Sequence, residues 1–167
     1  LDYLINGLGT TDTEILSFYT SNANATAYKQ YLLNLMIVLN TKSNAIKMDW
    51  SGGYRDTFIA SNGTAVSSST NQMTNLFVKN FEKDIRTGKI GIASGVFSNG
   101  TLFPEKVEGF YKKNISKMLL NTAIQSQQDF FNGKAFNGTA TGPSLKSYLD
   151  DVKAVRNGQN LSDIINS

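Results

Sequence analysis

The sequence predicts an all-α fold, a bundle of long antiparallel helices joined by loops rich in Gly, Ser and Thr. Apolar residues recur every three to four positions over several long stretches, which is the period of an amphipathic helix. Glycine and proline interrupt this pattern at a few points, and no fixed-period repeat is present. With 167 residues, 40% of them apolar, the chain is long enough for its own core. We therefore expect residues 1–167 to form one helical-bundle domain.

Two short helices are predicted at the beginning of the chain. Residues 1–8 are expected to be the end of a helix that Gly7 and Gly9 stop, because glycine readily takes the left-handed conformation that closes helices. The next helix has Thr11 at the N-cap and Glu14 three residues later, which is the spacing of a capping box.

The longest predicted helix runs from Ala27 to about Trp50. Its apolar positions keep the helical spacing throughout: Tyr28, Tyr31, Leu32, Leu35, Met36, Leu39, Ile46 and Trp50. Gly52 and Gly53 are expected to weaken or kink this helix, which residues 54–59 would then resume.

The second half of the chain is predicted to contain two further long helices. The first covers residues 69–86 and is followed by an extended, Gly-rich loop over residues 87–103. Pro104 opens the second, since proline suits the first position of a helix, and Gly133 ends it. A last helix begins after Gly142-Pro143 and carries its apolar residues as far as Val155. Asn157-Gly158 is expected to stop it, and residues 161–165 to form a final turn.

The composition excludes several classes of function. The chain contains no histidine and no cysteine, which removes the commonest general base, metal ligand and strong nucleophile from these residues. A net charge of +3, from 16 basic and 13 acidic residues, is too balanced for a nucleic-acid-binding protein. The longest apolar run, residues 31–39, is much shorter than the ~20 residues that span a bilayer.

Two sets of residues are candidates for a site. Glu105 and Glu108 are three positions apart, so their carboxylates would share one face of the predicted helix, although acids in a first turn are also explained by the helix dipole. A candidate pocket combines an arginine with aromatic side chains, which suits anionic or planar ligands, and packing at the bundle edge is the alternative explanation. Its residues are Tyr3, Trp50, Tyr54 and Arg55.

Six Asn-x-Ser/Thr sequons occur in the chain. Their asparagines are Asn24, Asn62, Asn99, Asn114, Asn137 and Asn160. As glycan acceptors they would require a eukaryotic secretory route. Chance in an Asn- and Thr-rich chain is the simpler explanation, and it is favoured by the position of Asn114 inside a predicted helix.

Read in order, several segments resemble the imelysin-like family, peptidase family M75, in the form found in Bacteroides-like organisms. The matching segments are LDYLINGLG, YLLNLMIVL with the later DW and YRDTF, RTGKIGIASGVFSNG, PEKVEGFY, QDFFNG and GPSLKSYLDD. This series covers nearly the whole chain. The resemblance implies a helical protein of two bundle-like halves, of which this chain would be the C-terminal portion.

The family carries a Gly-x-His-x-x-Glu motif, and an LDYL-like segment directly follows its histidine. The resemblance therefore places Asp2 at the acidic position of this motif, as a candidate metal ligand, with the histidine expected two residues ahead of Leu1. Two positions depart from the family pattern. Aspartate replaces glutamate at Asp2, and Ala93 stands where relatives often have proline.

Three functions are compatible with the resemblance and the residues. The first is a non-catalytic helical module of a bacterial envelope protein, periplasmic or anchored as an outer-membrane lipoprotein, that binds iron or another metal-linked ligand together with its N-terminal half. The second is the C-terminal part of an M75-type metallopeptidase whose histidine and metal, iron or zinc, lie upstream. The third is a glycan-binding or scaffold protein without a metal. For this chain alone we expect no peptidase activity, because it lacks a metal-activating histidine.

Overall fold

The computed structural model describes residues 1–112 and 114–167, and these are mostly helical. Helices make up 63% of the structure, and the named strands form one two-stranded sheet within the described residues. The mostly α class predicted from the apolar spacing is therefore confirmed. Two compact units are present: residues 1–73 with 107–116 form unit 1, and residues 74–106 with 117–167 form unit 2.

Unit 1 begins with three helices of increasing length: α1 (Asp2–Asn6), α2 (Asp12–Thr20) and α3 (Ala25–Asp49). The predicted N-cap of α2 is confirmed, since the Thr11 hydroxyl oxygen accepts a hydrogen bond from the Glu14 backbone N–H at 3.2 Å. The Glu14 carboxylate instead accepts hydrogen bonds from the backbone N–H and the hydroxyl of Thr10, each at 2.7 Å. Side chains thus accept hydrogen bonds from backbone N–H groups on both sides of the N-cap residue Thr11.

Helix α3 packs against α2 only over its first turns. Tyr28 lies edge-on to Phe18 and Tyr19 of α2, with ring centroids 5.3 and 6.1 Å apart. Leu32 and Leu35 are half-buried, whereas residues 36–49 are all exposed. Because α2 has nine residues and a helix rises about 1.5 Å per residue, α2 is about 13 Å long and covers only that part of α3.

The glycine pair after α3 produces the expected kink. A π-helical turn, Trp50–Tyr54, separates α3 from α4 (Arg55–Ala60), and Gly53 within it has φ +118° and ψ −14°. This φ lies in a region that residues with a Cβ rarely adopt. The predicted interruption at Gly52-Gly53, and the helix that follows it, are both confirmed.

Beyond α5 the helical conformation extends further than the sequence predicted. Helix α5 (Ser69–Lys79) continues into a π-helical segment, Asn80–Gly91, which buries Ile85. The extended loop predicted from residue 87 is therefore wrong for its first five residues.

The rest of the segment predicted as an extended loop folds into hydrogen-bonded turns. The Gly100 N–H donates to the Gly95 carbonyl and the Phe103 N–H to the Ala93 carbonyl, each at 3.0 Å. Gly95 has φ +80°, and a Cβ there would lie 2.8 Å from the backbone of Gly100. The glycines thus permit a compact turn here, and the extended chain predicted from them is wrong.

The long helix predicted from Pro104 is wrong over the described residues that precede Ser116. Pro104–Lys106 is one 3₁₀ turn, and α6 extends only from Ser116 to Phe131. Gly109 and Asn114 between them have φ +71° and +57°, which a right-handed helix does not allow. Glu105 and Glu108 consequently do not share a face of an α-helix.

The same finding corrects the prediction that the sequon asparagine Asn114 lies inside a helix. Asn114 does not lie in a helix, and the side chains of all six sequon asparagines are exposed and lie outside the helices. The position of Asn114 therefore no longer favours chance over glycan acceptors.

Unit 2 ends in two short helices around a hairpin. Helix α7 (Leu145–Asp151) is followed by β1 (Val155–Arg156), β2 (Gln159–Asn160) and α8 (Leu161–Asn166). The strands are antiparallel, with Val155 opposite Asn160. Asn157 and Gly158 have φ +53° and +77°, the two positive values of a type I′ hairpin turn. The predicted continuation of α7 to Val155 is wrong, because Asn-Gly is a hairpin signal here and not a helix stop.

The most deeply buried large side chain described is Phe131, the last residue of α6, which is 2% exposed. Its ring stacks on Phe77 of α5 with centroids 5.9 Å apart. Next to it, the Asn132 and Asn166 side chains exchange two amide hydrogen bonds of 2.8 and 2.9 Å, joining the end of α6 to α8. No helix in the described ranges combines the length and the apolar character that crossing a membrane requires.

Candidate functional site

Asp2, the candidate metal ligand, is the first residue of α1 and is half-buried. Its Oδ1 accepts a hydrogen bond from the Asn6 side-chain amide at 3.0 Å. Its Oδ2 accepts one from the backbone N–H of Tyr111, also at 3.0 Å and 109 positions further along the chain. The carboxylate is thus held in a defined orientation, and each oxygen keeps a lone pair beyond the hydrogen bond it accepts.

Aromatic packing supports this arrangement. Tyr3 lies edge-on to Tyr111, with ring centroids 5.1 Å apart. A Cβ at Gly7 would lie 2.5 Å from the Tyr111 ring and 2.7 Å from the Tyr3 ring, so only glycine permits this close approach. The Tyr19 hydroxyl donates a hydrogen bond to the Leu4 carbonyl at 2.5 Å. Burial raises the pKa of Tyr19, and the nearby Tyr28 adds to the shift.

A cavity of about 400 Å³ lies beside Asp2 within unit 1. Asn6 and Tyr111, the two hydrogen-bond partners of Asp2, are among its lining residues, and its charged side chains are Asp12 and Lys112. The full lining is Asn6, Gly7, Gly9, Thr10, Asp12, Ile15, Phe110, Tyr111 and Lys112. A small polar ligand would meet both signs of charge and an aromatic wall there.

Only part of the candidate pocket is brought together. Trp50 and Tyr54 line one open groove of about 680 Å³ at the kink after α3, and their rings lie 5.7 and 6.2 Å from that of Phe58. Tyr3 packs on Tyr111 instead, and Arg55 is the exposed first residue of α4. Neither Tyr3 nor Arg55 lines the groove, as far as the described residues show.

The residues around Asp2 do not by themselves complete a metal site. Asp2 supplies one carboxylate, while Asn6 and Tyr111 face it with N–H donors, which cannot ligate a cation. In the part of the chain that the structure describes, no three His, Cys, Asp or Glu residues are grouped closely enough to hold a metal ion.

The structure also reveals a polar cluster in unit 2 that the sequence analysis missed. The Ser162 hydroxyl donates a short hydrogen bond to Asp150 Oδ1, and the Lys146 ammonium donates to Asp150 Oδ2 at 2.6 Å. Lys146, and then Ser162, hold the pKa of Asp150 below its usual value, and the pKa of Lys146 is raised by Asp150. The i, i+4 spacing of Lys146 and Asp150 is visible in the sequence, whereas the contact with Ser162 is not.

A Ser-Asp-Lys cluster resembles a nucleophile with its base, but burial argues for another role. Ser162 is 1% exposed, so its hydroxyl is closed to any substrate, and nucleophilic catalysis requires access to the reacting atom. Its hydrogen bond connects α8 to α7. The cluster therefore positions two helices.

Comparison of the chain with protein-family models, curated proteins and solved structures finds no match.

Proposed function

We propose that the chain is a helical module of an imelysin-like protein of the bacterial cell envelope, and that it contributes Asp2 to a metal-dependent binding site. In this proposal the other ligands, including a histidine, come from an N-terminal half of the same protein. Iron or an iron-linked ligand is the proposed cargo, and the helices of both halves form antiparallel bundles. The proposal follows from the resemblance of the ordered segments that begin with LDYLINGLG.

The observation that carries the proposal is the fixed orientation of the Asp2 carboxylate. Hydrogen bonds from Asn6 and from Tyr111 hold both oxygens, and in metal sites hydrogen bonds of this kind orient a ligating carboxylate. A hard oxygen donor of this kind suits iron or another hard cation. The half-buried position of Asp2 leaves it accessible to groups from outside the module.

Metal titration of the parent protein, with both halves present, tests the proposal. We expect Asp2→Ala to weaken iron binding by at least roughly ten- to a hundred-fold, since loss of a group that merely orients a metal ligand already has an effect of that size. Asp12→Ala is the matched control, because Asp12 is also an acid in the first turn of its helix, lines the neighbouring cavity and is exposed. Equal affinity of the Asp2→Ala protein and the parent would remove Asp2 from the site.

The same preparation distinguishes the peptidase alternative. Peptide hydrolysis that is lost with a chelator, restored by zinc or iron and reduced in Asp2→Ala would identify the parent as an M75-type metallopeptidase. Metal binding without such hydrolysis supports the non-catalytic module.

One observation favours a second candidate function, the binding of a planar or sugar ligand without a metal. The rings of Trp50, Tyr54 and Phe58 cluster beside an open groove, and exposed aromatic faces stack well on such ligands. Quenching of the fluorescence of Trp50, the only tryptophan, by oligosaccharides would support this function, and Tyr54→Ala should abolish the quenching.

A further inference from the structure

An apolar stripe on α3 continues beyond the end of the helix that covers it. Tyr28 packs on α2, and Leu32 and Leu35 on the same side of α3 are half-buried. Leu39, Ile46 and Trp50 prolong the same stripe, since all six lie within about 60° of one another at 100° per residue. We call Leu39, Ile46 and Trp50 the uncovered stripe. Their side chains are 48%, 71% and 44% exposed. A second helix can therefore lie on α3 directly after α2 ends.

Two opposite charges border one side of the uncovered stripe. Lys42 and Asp49 are seven residues apart, so they lie two helical turns apart along the same edge. Both are exposed, and neither forms an ion pair within residues 1–112 and 114–167. The opposite edge carries Lys47 beside the neutral Ser43 and Asn40.

This pattern is self-complementary in an antiparallel arrangement. When two antiparallel helices are related by a two-fold axis, the same edge of each helix faces that of the other, as in the charged flanks of antiparallel coiled coils. An axis between Ala45 and Ile46 sets Lys42 of each copy opposite Asp49 of the other. The same axis brings the two Ile46 side chains together and sets Trp50 against Leu39 of the second copy. On the other edge Lys47 meets the neutral Ser43, so no like charges face each other.

We propose that the uncovered stripe of α3 is a homodimer interface, in which a second copy of this chain lies antiparallel with paired Lys42 and Asp49. The second copy takes up the space on α3 that the short helix α2 leaves open. Two symmetric ion pairs define the register, and Leu39, Ile46 and Trp50 supply the apolar contact. Aromatic side chains such as Trp50 commonly dominate binding energy at such interfaces.

Sedimentation equilibrium of the purified chain tests the dimer, over concentrations from about 1 to about 100 µM. We expect a monomer–dimer equilibrium, with the emission of Trp50 shifting to shorter wavelength as the dimer forms. Ile46→Asp should abolish dimerisation. Ile37→Asp is the matched control, because Ile37 is also an exposed isoleucine of α3, at 60%, and nine positions of about 100° each place it on the opposite side of the helix. Since both side chains are already exposed in the monomer, neither change removes a buried contact.

Charge reversal tests the register. Lys42→Glu and Asp49→Lys should each raise the dissociation constant about ten-fold, because two ion pairs become two repulsions. The double variant exchanges the charges, and we expect its dissociation constant to return to within about three-fold of the parent value. A single monomer mass at every concentration would overturn the homodimer, as would equal effects of Ile46→Asp and Ile37→Asp. Failure of the double variant to recover would overturn the antiparallel register.

Discussion

Replacing Phe131 by alanine should destabilise unit 2 severely. Phe131 is one of three buried hydrophobic side chains among the described residues, with Leu4 and Ile85, and is 2% exposed. Truncating a buried phenylalanine to alanine costs about 3–5 kcal/mol, because apolar contacts are lost and a cavity remains. Since whole domains are stable by only about 5–15 kcal/mol, this change removes a large share of the stability.

Phe130→Ala is the matched control for this experiment. The neighbouring ring stacks on the same partner, Phe77, at nearly the same distance, 6.0 Å against 5.9 Å for Phe131. However, Phe130 is 50% exposed. About half of the burial energy of a phenylalanine is then at stake, and we expect a loss of about 1 kcal/mol. The two variants therefore separate the effect of burial from that of ring stacking.

Urea unfolding followed by far-UV circular dichroism measures the difference. With a slope of about 2 kcal/mol/M, we expect the midpoint to fall by about 2 M for Phe131→Ala and by about 0.5 M for Phe130→Ala. Equal shifts in the two variants would refute the assignment of Phe131 as a core residue, because ring stacking alone would then explain both.

Three further outcomes follow from local geometry. Gly133 and Gly158 both have positive φ, but a Cβ at Gly133 would lie 2.5 Å from a backbone carbonyl oxygen, whereas Gly158 has nothing within 4 Å. Alanine should therefore cost about 1 kcal/mol at Gly158 and clearly more at Gly133, as measured by thermal unfolding. Ser162→Ala should lower the melting temperature and raise the pKa of Asp150 towards its ordinary value, which an NMR titration would show. The Thr10 hydroxyl, followed by its amide, lowers the pKa of Glu14 from 4.5. The stabilisation from this carboxylate is therefore present above pH 4.5 and is lost as the pH falls through the lowered pKa. The protection factors of the α2 amides, which allow for the intrinsic pH dependence of exchange, should fall over that range, and Glu14→Gln should remove the effect.

Features that depend on neighbouring residues were predictable from the sequence. The N-cap at Thr11 needs only a hydroxyl three residues before a backbone N–H. The kink at Gly53 needs only a residue without a Cβ. The long helix α3 repeats its apolar spacing over 25 residues, which a chance pattern rarely sustains. Local chemistry decides each of these features, so the sequence contains the necessary information.

The described residues between Pro104 and Ile115 do not form the predicted helix, because apolar spacing is an incomplete signal. Phe110 and Tyr111 fit the helical period of the apolar residues. A turn can also bring adjacent aromatic side chains into contact, however, and here the two rings are edge-on with centroids 5.2 Å apart. The decisive feature is the positive φ of Gly109 and Asn114. Both residue types tolerate that conformation, but neither requires it, so the local sequence does not decide between helix and turn.

The geometry of the candidate site could not be predicted for the same reason. A hydrogen bond across 109 positions fixes the Asp2 carboxylate, and no local pattern connects Asp2 with Tyr111. An aspartate in the first turn of α1 interacts favourably with the helix dipole, and this interaction does not fix the orientation of its carboxylate. The bond from the Tyr111 N–H restricts that orientation, and because it is donated by the backbone, side-chain substitution at Tyr111 need not remove it. Tyr111→Ala would instead remove the ring that packs on Tyr3 and Gly7. The support for Asp2 thus combines the side-chain amide of Asn6, the backbone N–H of Tyr111 and an aromatic contact, and only the contact with Asn6 is local in the sequence.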